Sequence, residues 1–218
     1  MRQGWTRLQL ANLLKVVIEK NNEEVLRVIQ SIGTVSTDLQ QKLINCLENN
    51  KLGFSMNDIA TLGNQLECTT ISETALKNWV KREMKEFIGS PEVGKKYSIQ
   101  QAALLYIVKD LKTILDFEAI RPVLRLVFNN PKDRKDDLIS PVKYLLAYSN
   151  LYEELVRKGE ILTEDYIANE VKEYMKMYEH LSEKQQSNME SALMVSILSV
   201  RAAYIKAIAM NYVQEAPK

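Results

Sequence analysis

Apolar residues recur at spacings of three and four along nearly the whole chain, and the clearest stripe is Leu76, Trp79, Val80, Met84 and Phe87. That is the period of one buried helical face, so the pattern predicts a helix over Ser72–Ile88. Its opposite side carries Lys77, Asn78, Lys81, Arg82 and Lys85. Ser72, or Thr70 with Glu73 three places on, supplies the N-cap. Just upstream, Met56, Ile59, Ala60 and Leu62 or Leu66 predict a shorter amphipathic helix over Ser55–Leu66, capped by Ser55 or Asn57.

The same period organises the flanks. Helices are expected over Leu8–Ile18 and Glu23–Ile32, with Gly33 as C-cap, and a third from Ser36 or Thr37 to about Glu48, ended by Asn49, Asn50 and Gly53. Downstream, Ser98–Leu115 is one apolar helix. Pro122 is expected to break or start a helix rather than continue one, leaving Val123–Phe128 as a short element. The mixed charges of Asn129–Asp137 read as a solvated linker. Ser140-Pro141 opens a helix closed by Gly159. Thr163 caps another running to about His180, with Glu164 and Asp165 at the positive end of its dipole. Ser182 or Glu183 opens the last helix. There Leu193, Ile197, Val200, Tyr204 and Ala207 alternate with Val195, Leu198, Ala202, Ile205 and Ala209 on other sides, and a helix apolar nearly all round is expected to be buried by more than one neighbour. The fold class is all-α, a helical bundle in three parts: an N-terminal helical region 1–52, a central module 53–115 and a C-terminal helical region 116–218.

In the central module, two short helices joined by Glu67–Ile71 have the layout of a helix-turn-helix. The second is followed by Gly89-Ser90-Pro91-Glu92-Val93-Gly94-Lys95-Lys96-Tyr97, a turn-forming stretch ending in two lysines and an aromatic ring, which is the composition of a wing. From Lys77 to Tyr97 six basic residues stand against three acidic ones, a local balance of +3 in a chain whose net charge is only +1. This is a modest asymmetry of the sign that nucleic-acid binding needs.

The order helix, turn, basic helix, wing, then Ser98 capping a new helix resembles the winged helix-turn-helix of MerR-type regulators. Ser72, Ala75, Leu76, Lys77, Asn78 and Trp79 match the second-helix signature of that family, and Gly94, Lys95, Tyr97 and Ser98 match its wing. Further on, LDFEAIRPVLRLVFNNP resembles the continuation seen in an uncharacterised bacterial MerR-like family. Lys77 stands where the family usually has Arg and Asn78 where it has an aromatic residue. The long antiparallel coiled coil of MerR proteins is not evident. The resemblance implies a helix-turn-helix fold with a small two-stranded wing.

Read on their chemistry, Asn78 suits the N6 and N7 edge of adenine and Lys77 suits guanine. Lys81 and Arg82 reach base or phosphate one turn on, Thr74 lies near the helix start, and Lys95, Lys96 and Tyr97 grip the backbone from the wing. Double-stranded DNA is therefore the expected partner, read by a homodimer.

Other chemistries find less support. Gly89–Lys95 has the spacing of a phosphate loop, but Lys96 stands where a Ser or Thr must reach magnesium, and the stretch follows a helix rather than a strand. Cys46 and Cys68 lack CxxC spacing and a neighbouring His, so they read as free thiols with no metal and no cofactor. The single His180 lies near a helix end. With no nucleophile elbow or paired carboxylates, no enzyme machinery is visible. Eight of the ten tyrosines fall between Tyr144 and Tyr212. Tyr144, Tyr148 and Tyr152 at four-residue steps read first as packing and second as the lining of a small-molecule effector pocket. The N-terminus does not have the pattern of a signal peptide, and the apolar run Ala192–Val213 is interrupted by Arg201 and Lys206, so a cytoplasmic protein without a membrane span is expected. The sequence thus reads as a DNA-binding transcriptional regulator. The competing reading is a helical protein-interaction or ligand-binding protein whose basic face meets an acidic surface.

Overall fold

The computed structural model describes residues 4–19, 22–32, 53–131, 133–159 and 162–215. The expected helix from Ser36 or Thr37 to Glu48 lies outside them, as does Cys46. Among the described residues the elements are α1 Arg7–Ile18, α2 Asn22–Ile32, β1 Gly53–Phe54, α3 Met56–Gly63, α4 Glu73–Lys81, α5 Lys85–Ile88, β2 Tyr97–Ser98, α6 Ile99–Leu111, α7 Phe117–Val127, α8 Pro141–Lys158, α9 Glu164–Met175 and α10 Glu183–Glu215. The chain is mostly helical, with one two-stranded sheet in which Gly53 pairs with Ser98 and Phe54 with Tyr97, antiparallel. It divides into two compact units: residues 1–106 with 140–146, and residues 107–139 with 147–218.

In the first unit, local signals set most boundaries. Thr6 and Gln9 form a capping box at the start of α1, and Ser55 and Asp58 form one at α3. These boxes satisfy amides that a helix start leaves without intrahelical partners. Ser72 alone caps α4, its hydroxyl accepting from the Ala75 amide at 3.1 Å. The core of this unit gathers Leu10, Leu13, Leu14, Ile59, Leu62, Leu76, Met84, Phe87 and Tyr106, all fully buried. Tyr106 donates its hydroxyl to the Ile59 carbonyl at 2.9 Å, joining α6 to α3. Burial pushes that hydroxyl well above its ordinary range, so it stays a neutral donor.

The second unit is built around α10, which packs on α7 and α9. Leu193, Ile197 and Val200 are fully buried, and the rings of Tyr152 and Tyr204 stack at 5.3 Å with 6° between planes. Tyr148 donates to the Asp110 carboxylate at 2.9 Å within the core. Tyr148 and Tyr152 here, and Tyr144 in the first unit, are all buried, as the packing reading expects.

Three expectations need correction. The helix expected over Ser72–Ile88 is two: the backbone leaves the helical region at Arg82, and the Met84 amide bonds the Trp79 carbonyl five residues back at 2.8 Å before α5 begins. Pro122 does not break the chain. It lies inside α7, which starts earlier at the Asp116 cap, and Pro122 is exposed, so the carbonyl it fails to bond can turn to water. The helix begun by Thr163 ends at Met175, and a 3-10 turn Lys176–Tyr178 replaces its last turn. As expected, α10 is packed by more than one neighbour, α7 and α9, although Leu198 and, past Tyr204, Ile205, Ile208, Met210, Tyr212 and Val213 are exposed.

Candidate nucleic-acid interface

Between α3 and α4 the chain turns through Asn64–Ser72. The Asn64 side chain clamps the turn, its amide donating to the Ile71 carbonyl at 2.9 Å while its oxygen accepts from the Ile71 amide at 2.8 Å. Ile71 itself is buried. Two hydrogen bonds and an apolar plug therefore hold α4 to α3 across a non-helical stretch that includes Cys68 at φ 58.

On α4, Leu76 and Val80 face the core. At about 100° per residue, Thr74, Lys77, Asn78 and Lys81 fall on one face within roughly 100° of arc, and all four are exposed, as is Arg82 at the helix end. Lys77 pairs with Glu73 at 2.7 Å. A pair this exposed contributes little to stability, so it does not anchor the lysine against a competing anion.

After α5, residues 93–96 form a tight hairpin turn. Val93 and Lys96 exchange two backbone hydrogen bonds of 3.0 Å, with Gly94 at φ +62 in the bend. Lys95 and Lys96 are exposed at this tip. Tyr97 is half-buried opposite Phe54, and burial raises its hydroxyl above the ordinary value. Gly53 lies so close that an added Cβ would sit 2.9 Å from the Cβ atoms of both Val93 and Lys96, which is why the strand before α3 can lie along the hairpin.

One buried side chain fastens this stretch to the body of the unit. Gln101 donates to the carbonyls of Ile88 at 2.6 Å and Ser90 at 2.7 Å, while its oxygen accepts from the amides of Ser98 at 2.9 Å and Glu92 at 3.3 Å. Ser98 returns the bond by accepting from the Gln101 amide at 3.2 Å. Ser98 was legible as a cap. The spacing Ser98 to Gln101 was the available signal for the box, but nothing in the sequence announces the long-range bonds of Gln101.

The family model for the domain of unknown function DUF1836 matches residues 44–153. The chain belongs to this family. The matched span contains the turn, α4, the hairpin and α6, and with them every candidate residue from Thr74 to Tyr97. The uncharacterized protein YkrK of Bacillus subtilis (strain 168) is similar to this chain, 37% identical over 167 residues that cover 74% of this chain and 72% of YkrK. No solved structure matches. The family's name carries no activity, so the functional reading rests on the site.

Proposed function

We propose that this chain is a dimeric, sequence-specific DNA-binding regulator whose α3–α4 pair and hairpin act as a MerR-like winged helix-turn-helix. The observation that carries the reading is the exposed polar face of α4, mounted on α3 by the Asn64 clamp. An α-helix fits a major groove about 12 Å wide if its outward side chains are polar and its mounting is rigid. In this arrangement Asn78 makes the paired bonds that adenine offers, Lys77 leaves Glu73 for guanine, and Thr74, Lys81 and Arg82 reach neighbouring bases or phosphates. The hairpin lysines, with Tyr97 beside them, neutralise phosphates and fix the register.

Dimerisation supplies what one weak module lacks, since two-fold symmetry reads two half-sites. The exposed side of α10 suits this role. Leu198, Ala202, Ile205, Ala209 and Tyr212 repeat at alternating spacings of four and three, the seam of a two-helix contact, with small residues alternating so that a second copy of the helix can approach closely.

Selection of bound fragments from random duplex DNA tests the reading. The expected result is an enriched motif with two related half-sites. Recovery no different from a control without protein would reject it and leave the basic face to an acidic protein surface.

A further inference from the structure

Residues outside the family-matched span reach into the turn that mounts α4. Trp5 donates its amide to the Gln65 carbonyl at 2.7 Å, and the Glu67 amide donates to the Trp5 carbonyl at 3.0 Å, so Trp5 lies beside Leu66 in a single parallel bridge. The Trp5 side chain is 3% exposed. Two residues on, at the first position of α1, Arg7 is equally buried. Its guanidinium donates to the Glu67 carbonyl at 3.4 Å and to the Thr69 hydroxyl at 3.1 Å, and that hydroxyl in turn donates to the same Glu67 carbonyl at 3.3 Å. The backbone at 65–69 is therefore held from outside by one segment, on the side of Cys68 where its own conformation is least favourable to an L-residue.

We propose that Gly4–Ile18 is a brace for the helix-turn-helix, with Arg7 as the positioning residue that fixes residues 65–69 and, through them, the presentation of α4 to DNA. The inference rests on the DNA-binding reading for its functional half; its structural half is independent. Arg7 contacts no nucleic acid. Its loss lowers affinity by loosening the mount, leaving the number of phosphate contacts unchanged. A brace of this kind is also a handle, because whatever displaces residues 4–7 weakens DNA binding without touching the binding face.

The test uses the full chain with Arg7→Met, which keeps the apolar stem and removes the donors, Arg7→Lys, and Gly4→Ala. The last is a second route to the same contact: at φ +121 an added Cβ would lie 2.7 Å from the Gln65 carbonyl oxygen, and Gly4 itself is exposed, so the core is not disturbed. Hydrogen exchange of the Glu67 and Ile71 amides is read beside that of the α6 amides, and DNA affinity is measured from 50 to 200 mM salt. Expected for Arg7→Met and Gly4→Ala are exchange accelerated on the order of tenfold at Glu67 and Ile71 with α6 unchanged. Affinity falls by a similar factor with an unaltered salt slope, and Arg7→Lys recovers part of it. Unchanged exchange at 67 and 71 in both variants overturns the brace. Accelerated exchange with unchanged affinity confines it to folding and overturns the positioning role. Absence of binding by the unsubstituted chain removes the DNA reading, while the exchange arm still decides the brace.

Discussion

Lys77 and Lys95 carry the same charge and are both exposed, yet in the proposed complex they do different work. In that complex Lys77 and Asn78 face bases, so Lys77→Ala and Asn78→Ala are expected to relax preference at single positions of the site, each by about 1–3 kcal/mol between right and wrong base. Lys95→Ala is expected to weaken binding to all sequences alike and to lower the salt slope by about 1 per module, so by about 2 for the dimer. Competition among single-base variants of the selected duplex separates the two classes, and an equal loss for every variant in all three mutants would contradict the roles assigned. Elsewhere, Asp137 offers a pH-dependent test of stability. Its side chain is 3% exposed, with the Arg134 guanidinium 3.8 Å away. Burial pushes the carboxyl up to about 6 from an ordinary 3.8, against the opposing pull of Arg134. The native state then holds a proton that the unfolded chain has released between about pH 4 and 6, so this group costs stability as pH rises through that window, by at most about 1.4 kcal/mol per unit. Relative to the parent, Asp137→Asn is expected to gain stability in urea unfolding from pH 4 to 6 and to hold the gain at pH 7; a constant difference across the range would sink the assignment. The exposed candidates from Thr74 to Arg82 were legible because polar residues opposite an apolar stripe can be read from period alone, and Lys95 and Lys96 because they follow the turn-forming Gly89–Gly94 stretch. Asn64, Arg7 and Gln101 were not, because each acts on backbone that period does not locate.

At the scale of elements, helix starts were the most readable feature. Ser55, Ser72, Ser98, Thr163 and the Ser140-Pro141 pair announce themselves by side-chain chemistry, and most of the hydrogen bonds behind them are local. The break after α4 was invisible for a physical reason. Leu76 before it and Met84 and Phe87 after it are all fully buried, so the apolar stripe continues although the helix axis does not. A two-residue strand such as β1 is likewise too short to show alternation. What joins the elements matters more to the site than their ends. Asn64→Ala removes both partners of the buried Ile71 backbone and is expected to destabilise the chain by about 1–3 kcal/mol in urea unfolding. A change near zero would mean that the α3–α4 angle is held by packing alone.

For the whole molecule, net charge is nearly zero, and function is argued from local surfaces. The all-α class was legible from composition and period. The exposure of Leu198 and of α10 past Tyr204 was not, because an apolar helix has the same sequence whether its surplus apolar surface meets this chain or another copy. The chain is expected to be a dimer by light scattering at micromolar concentration and, with Ile205→Glu, a monomer of unchanged helicity; a monomeric parent would remove the α10 seam from the account. The central claim, that the exposed face of α4 enters a duplex, is tested most directly by anisotropy titration of a selected DNA site at 50 and 200 mM salt. With about four phosphate contacts per module, affinity is predicted to fall on the order of a thousandfold or more across that range, and by a shallower slope in the double substitution Lys95→Ala, Lys96→Ala. No binding at 50 mM, or an affinity indifferent to salt, would contradict it.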